Sequence, residues 1–353
     1  MQSPCRLRRC SVSLRGTTEV ILDGASPAAI TQAVQAITAG QLLGLPTETV
    51  YGLAADAARP DAVARIFAAK GRPSNHPLIV HVADATGVAH FARDVPVFAE
   101  RLMAAFWPGP LTLILPRRPD VGEATAGGQD SIGVRCPSHP VAQAVLQALA
   151  RATPPVWGLA APSANQFGRV SPTTAAHVAG EFGDSLLVLD GGPCDVGIES
   201  TIVDCTRGAP VLLRPGAITR DQIQAACGLR LQGDAAALAA LGEAPRASGT
   251  LQAHYAPTAR LRLMAAPALQ TSLDLLGAEA THIAVYARAP LRLLSSQVLL
   301  RRMPDDAQAT AQQLFSVLRD FDTQGVKLIW VESVPGTAEW DGVRDRLQRA
   351  SAA

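Results

Sequence analysis

The sequence predicts an α/β fold: a twisted mixed sheet with helices, followed by a smaller, Rossmann-like α/β domain. Three observations carry that reading. Apolar runs of strand length alternate with helical periodicity along most of the chain; some neighbouring strands, such as those within residues 199–214, lie too close for a crossover helix; and residues 233–258 break the rhythm before it resumes. At 353 residues with 48% hydrophobic side chains, the chain exceeds one ordinary core and has apolar material for two.

The elements follow in order. Residues 1–16, MQSPCRLRRCSVSLRG, lack the apolar stretch of a secretory signal and read as a short disordered extension. A domain over residues 17–232 comes next. Ser26-Pro27 offers a capping hydroxyl and a proline for the first helical position, and Gly40 stops the Ala-rich helix between them. A strand near Gln41–Leu45 leads into the polar run Thr47-Glu48-Thr49-Val50-Tyr51, too polar for a plain core strand. Asp61 to Lys70 places Val63, Ile66, Phe67 and Lys70 on one helical face, with Gly71 as the left-handed cap, and LIVHV at 78–82 follows as a strand.

Further along come a helix before Trp107, strands near 111–115 and 131–135, a helix from Pro140, a strand over 156–161, a helix from Pro172, and strands at 186–190, 199–205 and 211–214. Trp107-Pro108-Gly109-Pro110 reads as a rigid turn with a packed indole. Residues 233–258, rich in Ala, Gly and Pro, read as a linker. In the last domain, residues 259–353, strands at 260–264, 282–287, 298–302 and 326–333 flank a helix over 304–323 that carries Ala311, Leu314, Leu318 and Phe321 on one face.

Composition removes several function classes. Lys plus Arg exceed Asp plus Glu by one, no dense basic run occurs beyond the first fifteen residues, and aromatics are 4%, so the footprint of a protein that grips nucleic acid is missing. No stable nucleic-acid binding is expected. The six cysteines show neither CxxC pairs nor the Cys/His spacing of a zinc site, which predicts reduced thiols in a cytoplasmic protein and no protein-held metal. No apolar run approaches the roughly 20 residues of a membrane span. Neither GxxxxGK[ST] nor GxGxxG occurs, so any nucleotide must be held another way.

Polar residues instead gather at element ends. Lys70 and Arg72 flank the capping glycine and Pro73 fixes the outgoing chain, a geometry suited to phosphate oxygens, although the same pattern also terminates ordinary helices. Arg135 ends one predicted strand, on the same side as Ser131, and Arg214 ends another. His81 lies inside an apolar run, where a backbone-bonded histidine is the common case. Ser163 and Ser171 follow an apolar strand as short polar groups that also suit turns and caps. Ser200 has no G-x-S-x-G elbow around it and is not read as a hydrolase nucleophile.

LPTETVYGLAADA (45–57), KGRPSNHPLIVHV (70–82), FWPGPLTLIL (106–115), SIGVR (131–135), AAPSAN (160–165), ESTIVD (199–204) and LLRPG (212–216), in that order, resemble the YrdC family of threonylcarbamoyl-AMP synthases. The second domain matches the C-terminal domain of the family's longer members. The resemblance implies an enzyme, a nucleotidyltransferase that joins L-threonine, bicarbonate or CO2, and ATP into threonylcarbamoyl-AMP. The product would pass to a tRNA threonylcarbamoyl-transfer complex, and Mg2+ would accompany ATP. It assigns Thr49, His81, Arg135, Ala161 and Ser200 to threonine. Arg72, His76, Ser131, Ser163, Ser171 and Arg214 fall to ATP, with Lys70 and Arg72 as the catalytic cations. His76 stands where family members often carry asparagine. His254-Tyr255 lies in a linker signature whose usual preceding Tyr-Arg is here Gln252-Ala253, which leaves closure of the linker over ATP open. Two other classes are weighed: a non-catalytic RNA-binding or ribosome-maturation module, and a carbamoyl-phosphate-using transferase, whose acylphosphatase and zinc-finger segments are not recognisable here.

Overall fold

The computed structural model describes residues 20–233 and 243–353; the extension expected over residues 1–16 and part of the expected linker lie outside the described residues. The first sheet is built from β1 (Ile21–Asp23), β2 (Leu43–Leu45), β3 (Gly52–Asp56), β4 (Ile79–His81), β5 (Leu111–Pro116), β6 (Ser131–Arg135), β7 (Leu159–Ala160), β8 (Leu187–Asp190), β9 (Thr201–Asp204) and β10 (Val211–Arg214). Their lateral order is β1-β8-β2-β3-β7-β4-β6-β5-β9-β10. Parallel pairs such as β4 with β6 sit beside antiparallel ones such as β5 with β6 and β9 with β10, so the sheet is mixed, as expected.

Helices cover both faces. Pro27 at the first helical position starts α1 (Pro27–Thr38), whereas the Ser26 hydroxyl makes no capping bond; the proline alone sets this start. The predicted apolar stripe and glycine cap recur in α2 (Pro60–Lys70), which ends at Gly71 with φ 61°. Helices α3 (Ala85–Phe91) and α4 (Val97–Phe106) follow, then α5 (Pro140–Ala150), α6 (Ala175–Phe182) and α7 (Arg220–Cys227). Ile37 of α1 and Val145 of α5 share a cluster with Ala54, while Ile66 of α2 and Leu102 of α4 pack with Leu53. Neighbouring residues of β3 thus serve opposite layers, as alternation along a strand requires.

Two expectations shift in detail. The strand expected over 156–161 contracts to Leu159–Ala160, and the helix expected from Pro172 starts at Ala175. The intervening backbone is engaged elsewhere: Pro172 O accepts from Tyr51 N at 2.9 Å and Thr173 O from Cys194 N at 3.0 Å. The predicted turn at 107–110 holds, with the Trp107 indole N–H on Leu111 O at 2.8 Å.

In the second domain β11 (Arg260–Met264), β12 (Ile283–Ala287), β13 (Leu299–Arg302) and β14 (Leu328–Glu332) form a wholly parallel sheet in the order β11-β14-β12-β13. Helices α8 (Ala266–Leu276), α9 (Ala307–Thr323) and α10 (Asp341–Ser351) pack on it. All four residues of the predicted α9 stripe are buried. The hydrophobic cluster of this domain also takes in Val50, Val170 and Ile198 from loops of the first. The two domains therefore share packed surface at those loops. No helix among the described residues is long and apolar enough to cross a membrane.

Candidate active site

After β2 the backbone turns because its own hydroxyls offer bonds that a sheet does not. Thr47 Oγ1 donates to Val50 O at 2.6 Å and accepts from the amides of Thr49 and Val50, each at 3.3 Å. That turn aims Thr49 at Arg135, whose Nη1 donates to Thr49 Oγ1 at 2.8 Å. Arg135 Nη2 lies 2.7 Å from Glu48 Oε1, and Glu48 Oε2 accepts the Ser138 amide at 3.1 Å. Because β4 and β6 pair in parallel with His81 opposite Arg135, both side chains arrive at the same strand ends.

Arg214, at the end of β10, forks onto Ser200. Its Nε and Nη2 donate to Ser200 O at 3.0 and 2.9 Å, and Nη2 also reaches Ser200 Oγ at 3.1 Å. Ser200 Oγ lies 2.7 Å from Thr112 Oγ1. Arg72, one residue past the helix cap, donates to Pro77 O at 2.9 Å and to Ser248 Oγ at 3.3 Å, and its guanidinium sits 5.7 Å from the Phe167 ring.

These groups line one cavity. Thr49, His81, Arg135, Ala161 and Ser200 meet Arg72, Ser163 and Arg214 there, together with Thr47 and Glu199. Ser248, Gly249, His254 and Tyr255 complete the wall, and the free volume left inside is ≈ 50 Å³, room for a few waters. Larger clefts lie elsewhere: those of ≈ 1290 Å³ and ≈ 810 Å³ carry no lysine or arginine, that of ≈ 660 Å³ has Arg65 offset by Asp184, and that of ≈ 420 Å³ has Arg169 and Arg319 offset by Glu181, Asp320 and Asp322. For an anionic ligand the small, cationic cavity is the better host.

Four of the residues singled out in the sequence do not line this cavity. Lys70 is buried behind it, donating to Ser163 O at 2.6 Å and to Asn165 O. The Ser171 hydroxyl donates to Glu199 Oε1. Ser131 opens β6, four residues along the strand from Arg135. His76 rests edge-on against Phe167 with ring centroids 5.5 Å apart. His81 fits both readings weighed for it: it lines the cavity, and its Nδ1 lies 3.3 Å from Ile79 O.

The electrostatics follow from burying several cations together. Burial, reinforced by Arg72, pushes Lys70 down to about 7. Burial also lowers Arg72 to about 10, with Arg214 adding to the effect. Burial and then the Arg135 charge take His81 to about 3, so its imidazole is neutral. Burial favours protonated Glu199, yet the Arg346 and Arg214 guanidiniums and the Ser171 hydroxyl bring it below the usual carboxylate value. Four buried polar atoms of cavity-lining residues lack a hydrogen-bond partner: Arg72 Nε, Arg135 Nη2, which is only ion-paired with Glu48, His254 Nδ1 and the Tyr255 hydroxyl. Such orphans cost stability, and a polar ligand would satisfy them.

Residues beyond those expected from the sequence also build the site. Glu48, behind the wall, carries a signal, a carboxylate inside a segment otherwise bound for the core. His254 and Tyr255 were noticed, but the departures at Gln252 and Ala253 left their place open; the structure brings both to the wall. Ser248 and Gly249 carried none beyond their turn-forming character.

Comparison with known proteins fits this geometry. The family model described as telomere recombination, Sua5/YciO/YrdC, matches residues 35–216, and the threonylcarbamoyl-AMP synthase C-terminal domain matches residues 218–352. The chain is 37% identical to the threonylcarbamoyl-AMP synthase of Bacillus subtilis, covering 91% of this chain and 92% of that protein. It is 36% identical to the one from Pyrococcus abyssi, covering 89% and 92%. The crystal structure of Pyrococcus abyssi Sua5 complexed with L-threonine superimposes with a TM-score of 0.80 at 35% identity, over 91% of this chain and 94% of that one. With both domain models matched end to end around a cavity of this kind, the chain belongs to the threonylcarbamoyl-AMP synthase family, in the long form that carries a C-terminal domain.

Proposed function

We propose that the protein makes threonylcarbamoyl-AMP from L-threonine, bicarbonate or CO2, and ATP, releasing pyrophosphate, and water where bicarbonate supplies the carbon, for the threonylcarbamoyladenosine modification of tRNA. The observation that carries this reading is the convergence of Arg72, Arg135 and Arg214 on one buried cavity that also presents Thr49 and Ser200.

Arg135, Thr49 and Ser200 offer donors for a carboxylate and a hydroxyl, which suits the amino acid seen bound to the Pyrococcus abyssi protein. His81, neutral, and Ala161 would close the pocket around its small side chain. Arg72 and Arg214, with Lys70 behind, would balance the triphosphate. Ser163 on the wall, and Ser171, His76 and Ser131 around it, would follow the nucleotide only after the wall opens, since ≈ 50 Å³ cannot hold ATP.

In the reaction, the amine of threonine captures CO2 as a carbamate, whose oxygen attacks the α-phosphorus and expels pyrophosphate. No side chain becomes covalent. The protein contributes position and fixed positive charge where negative charge develops. Mg2+ would arrive with ATP, held chiefly by phosphate oxygens and water. The described residues contain no cluster of three or more His, Cys, Asp or Glu arranged for a metal, and Glu199 is already engaged by Ser171 and Arg346. The product would then pass to a tRNA-modifying transfer complex.

The test is pyrophosphate release by the purified protein with Mg2+, ATP and bicarbonate, with and without L-threonine. Threonine-dependent release, and an adenylate product by mass spectrometry, are expected. Tight RNA binding without threonine-dependent ATP consumption would favour the non-catalytic reading.

A further inference from the structure

A buried side chain of the second domain grips the cavity-wall residue Glu199. Arg346, on α10, is 1% exposed and directs its fork at the first domain. Its Nε lies 2.9 Å from Glu199 Oε2 and its Nη2 donates to Glu199 O at 3.0 Å. Its Nη1 donates to Pro215 O at 2.7 Å and to Asp345 Oδ2 at 2.9 Å, and its guanidinium stands 5.4 Å from the Tyr255 ring.

The two partners from the first domain sit next to substrate-side groups. Glu199 precedes Ser200, and Pro215 follows Arg214. Because Arg214 itself forks onto Ser200, the contacts form a closed circuit: Arg346 to Glu199, along the chain to Ser200, across to Arg214, along the chain to Pro215, and back. The other oxygen of Glu199 takes the Ser171 hydroxyl, so that segment joins the same circuit.

Two glycines allow the close approach. Gly197 adopts φ 76°, and a Cβ there would strike the Gln312 backbone of α9. A Cβ on Gly342 of α10 would lie 2.8 Å from Ile198 Cδ1 and 2.9 Å from Gly216 O. The loop carrying Glu199 and Ser200 thus lies in close backbone contact with α9 and α10. For adhesion between domains alone, apolar residues of similar size would serve as well as a buried ion pair.

We propose that Arg346 is a positioning residue: by holding Glu199 and Pro215 it sets Ser200 and Arg214 where the substrates are bound, making the C-terminal domain a working part of the site. This rests on the synthase reading above.

The test compares the full chain with Arg346→Gln, Arg346→Lys and, as a control for general weakening of the second domain, Arg288→Gln. Arg288 pairs with Glu332 at 3.0 Å within that domain and touches nothing in the cavity. In Arg346→Gln, kcat/KM for threonine should fall about 100-fold, the scale expected for a small misplacement of a binding group. Arg346→Lys, which keeps the charge but loses the fork, should recover part of that loss. Amide exchange should quicken in residues 197–201 and 214–216 while β12 and β14 stay protected. Arg288→Gln should lower Tm with kcat/KM for threonine within about threefold of wild type. A folded Arg346→Gln with kcat/KM within about threefold, or equal losses in all variants in step with Tm, would overturn the proposal. If the wild type itself shows no threonine-dependent pyrophosphate release, the synthase reading fails. The exchange data still decide on Arg346: quickening confined to those two loops supports its hold on them, and unchanged protection overturns it.

Discussion

Glu48 and Arg135 stand 2.7 Å apart, each 4% exposed, directly behind the threonines that line the cavity. Their approach is an ion pair without hydrogen-bond alignment, so Nη2 of Arg135 keeps donor capacity while Nη1 is given to Thr49. Glu48 therefore orients Arg135 without using it up. Removing one partner of a buried pair costs about 3–5 kcal/mol, because the other charge is stranded. Glu48→Ala should lose stability on that scale in urea titration. Glu48→Gln, nearly the same shape, should lose less but raise KM for threonine more than KM for ATP. Equal rises in both constants would remove Glu48 from the threonine side.

The Tyr255 hydroxyl is buried, has no partner, and belongs to the cavity wall. Burial first, and then the Glu199 charge, raise it to about 12, so it stays protonated and can donate. Replacing an unsatisfied buried hydroxyl by hydrogen removes a penalty of about 1–3 kcal/mol. Tyr255→Phe should therefore match or exceed wild type in stability without ligand while binding ATP more weakly in calorimetry. A variant that loses ligand-free stability would show that the hydroxyl is bonded in the free protein.

The alternation of strands and helices, the α2 stripe with its Gly71 cap, and the α9 face were legible because each is a local signal. So were the polar ends that became the cavity, since Thr49, Arg135 and Ser200 interrupt runs that packing alone would fill with aliphatics. The α7 start was legible but passed over: Thr219 and Gln222 make a capping box. What could not be read was distance along the chain. Arg346 and Glu199 are 147 residues apart and Lys70 and Asn165 are 95 apart, and no periodicity encodes such a meeting. The late start of α6 has the same cause, because residues 172 and 173 are drawn into bonds with Tyr51 and Cys194.

Gly249 holds the linker in place by what it lacks. Its φ is 73°, and a Cβ there would strike the Tyr255 hydroxyl and lie 2.7 Å from Arg214 Nη1. Alanine adds about 1–2 kcal/mol of left-handed strain, and the clash adds to it. In Gly249→Ala, protease cleavage within residues 243–256 should accelerate and KM for ATP should rise about tenfold, by analogy with other loops that complete a site. Unchanged cleavage and KM would mean that the segment accommodates the methyl and that its path is not needed for nucleotide binding.

Lys70 sets the expected pH dependence. Burial and the neighbouring Arg72 hold its folded value at about 7, so below that pH it is an ammonium and above it a neutral amine. Since only the charged form attracts phosphate, kcat/KM for ATP should fall as pH rises through about 7, approaching tenfold per unit. Bound ATP favours the charged form, so the corresponding break in kcat should lie at higher pH than the break in kcat/KM. Lys70→Arg stays charged throughout, and although its larger head will lower activity overall, its kcat/KM profile should be flat across this range. A flat wild-type profile between pH 6 and 8.5 would mean that Lys70 keeps its proton in the free enzyme, or that its charge does not serve the nucleotide; a Lys70→Met variant with unchanged KM for ATP would select the second.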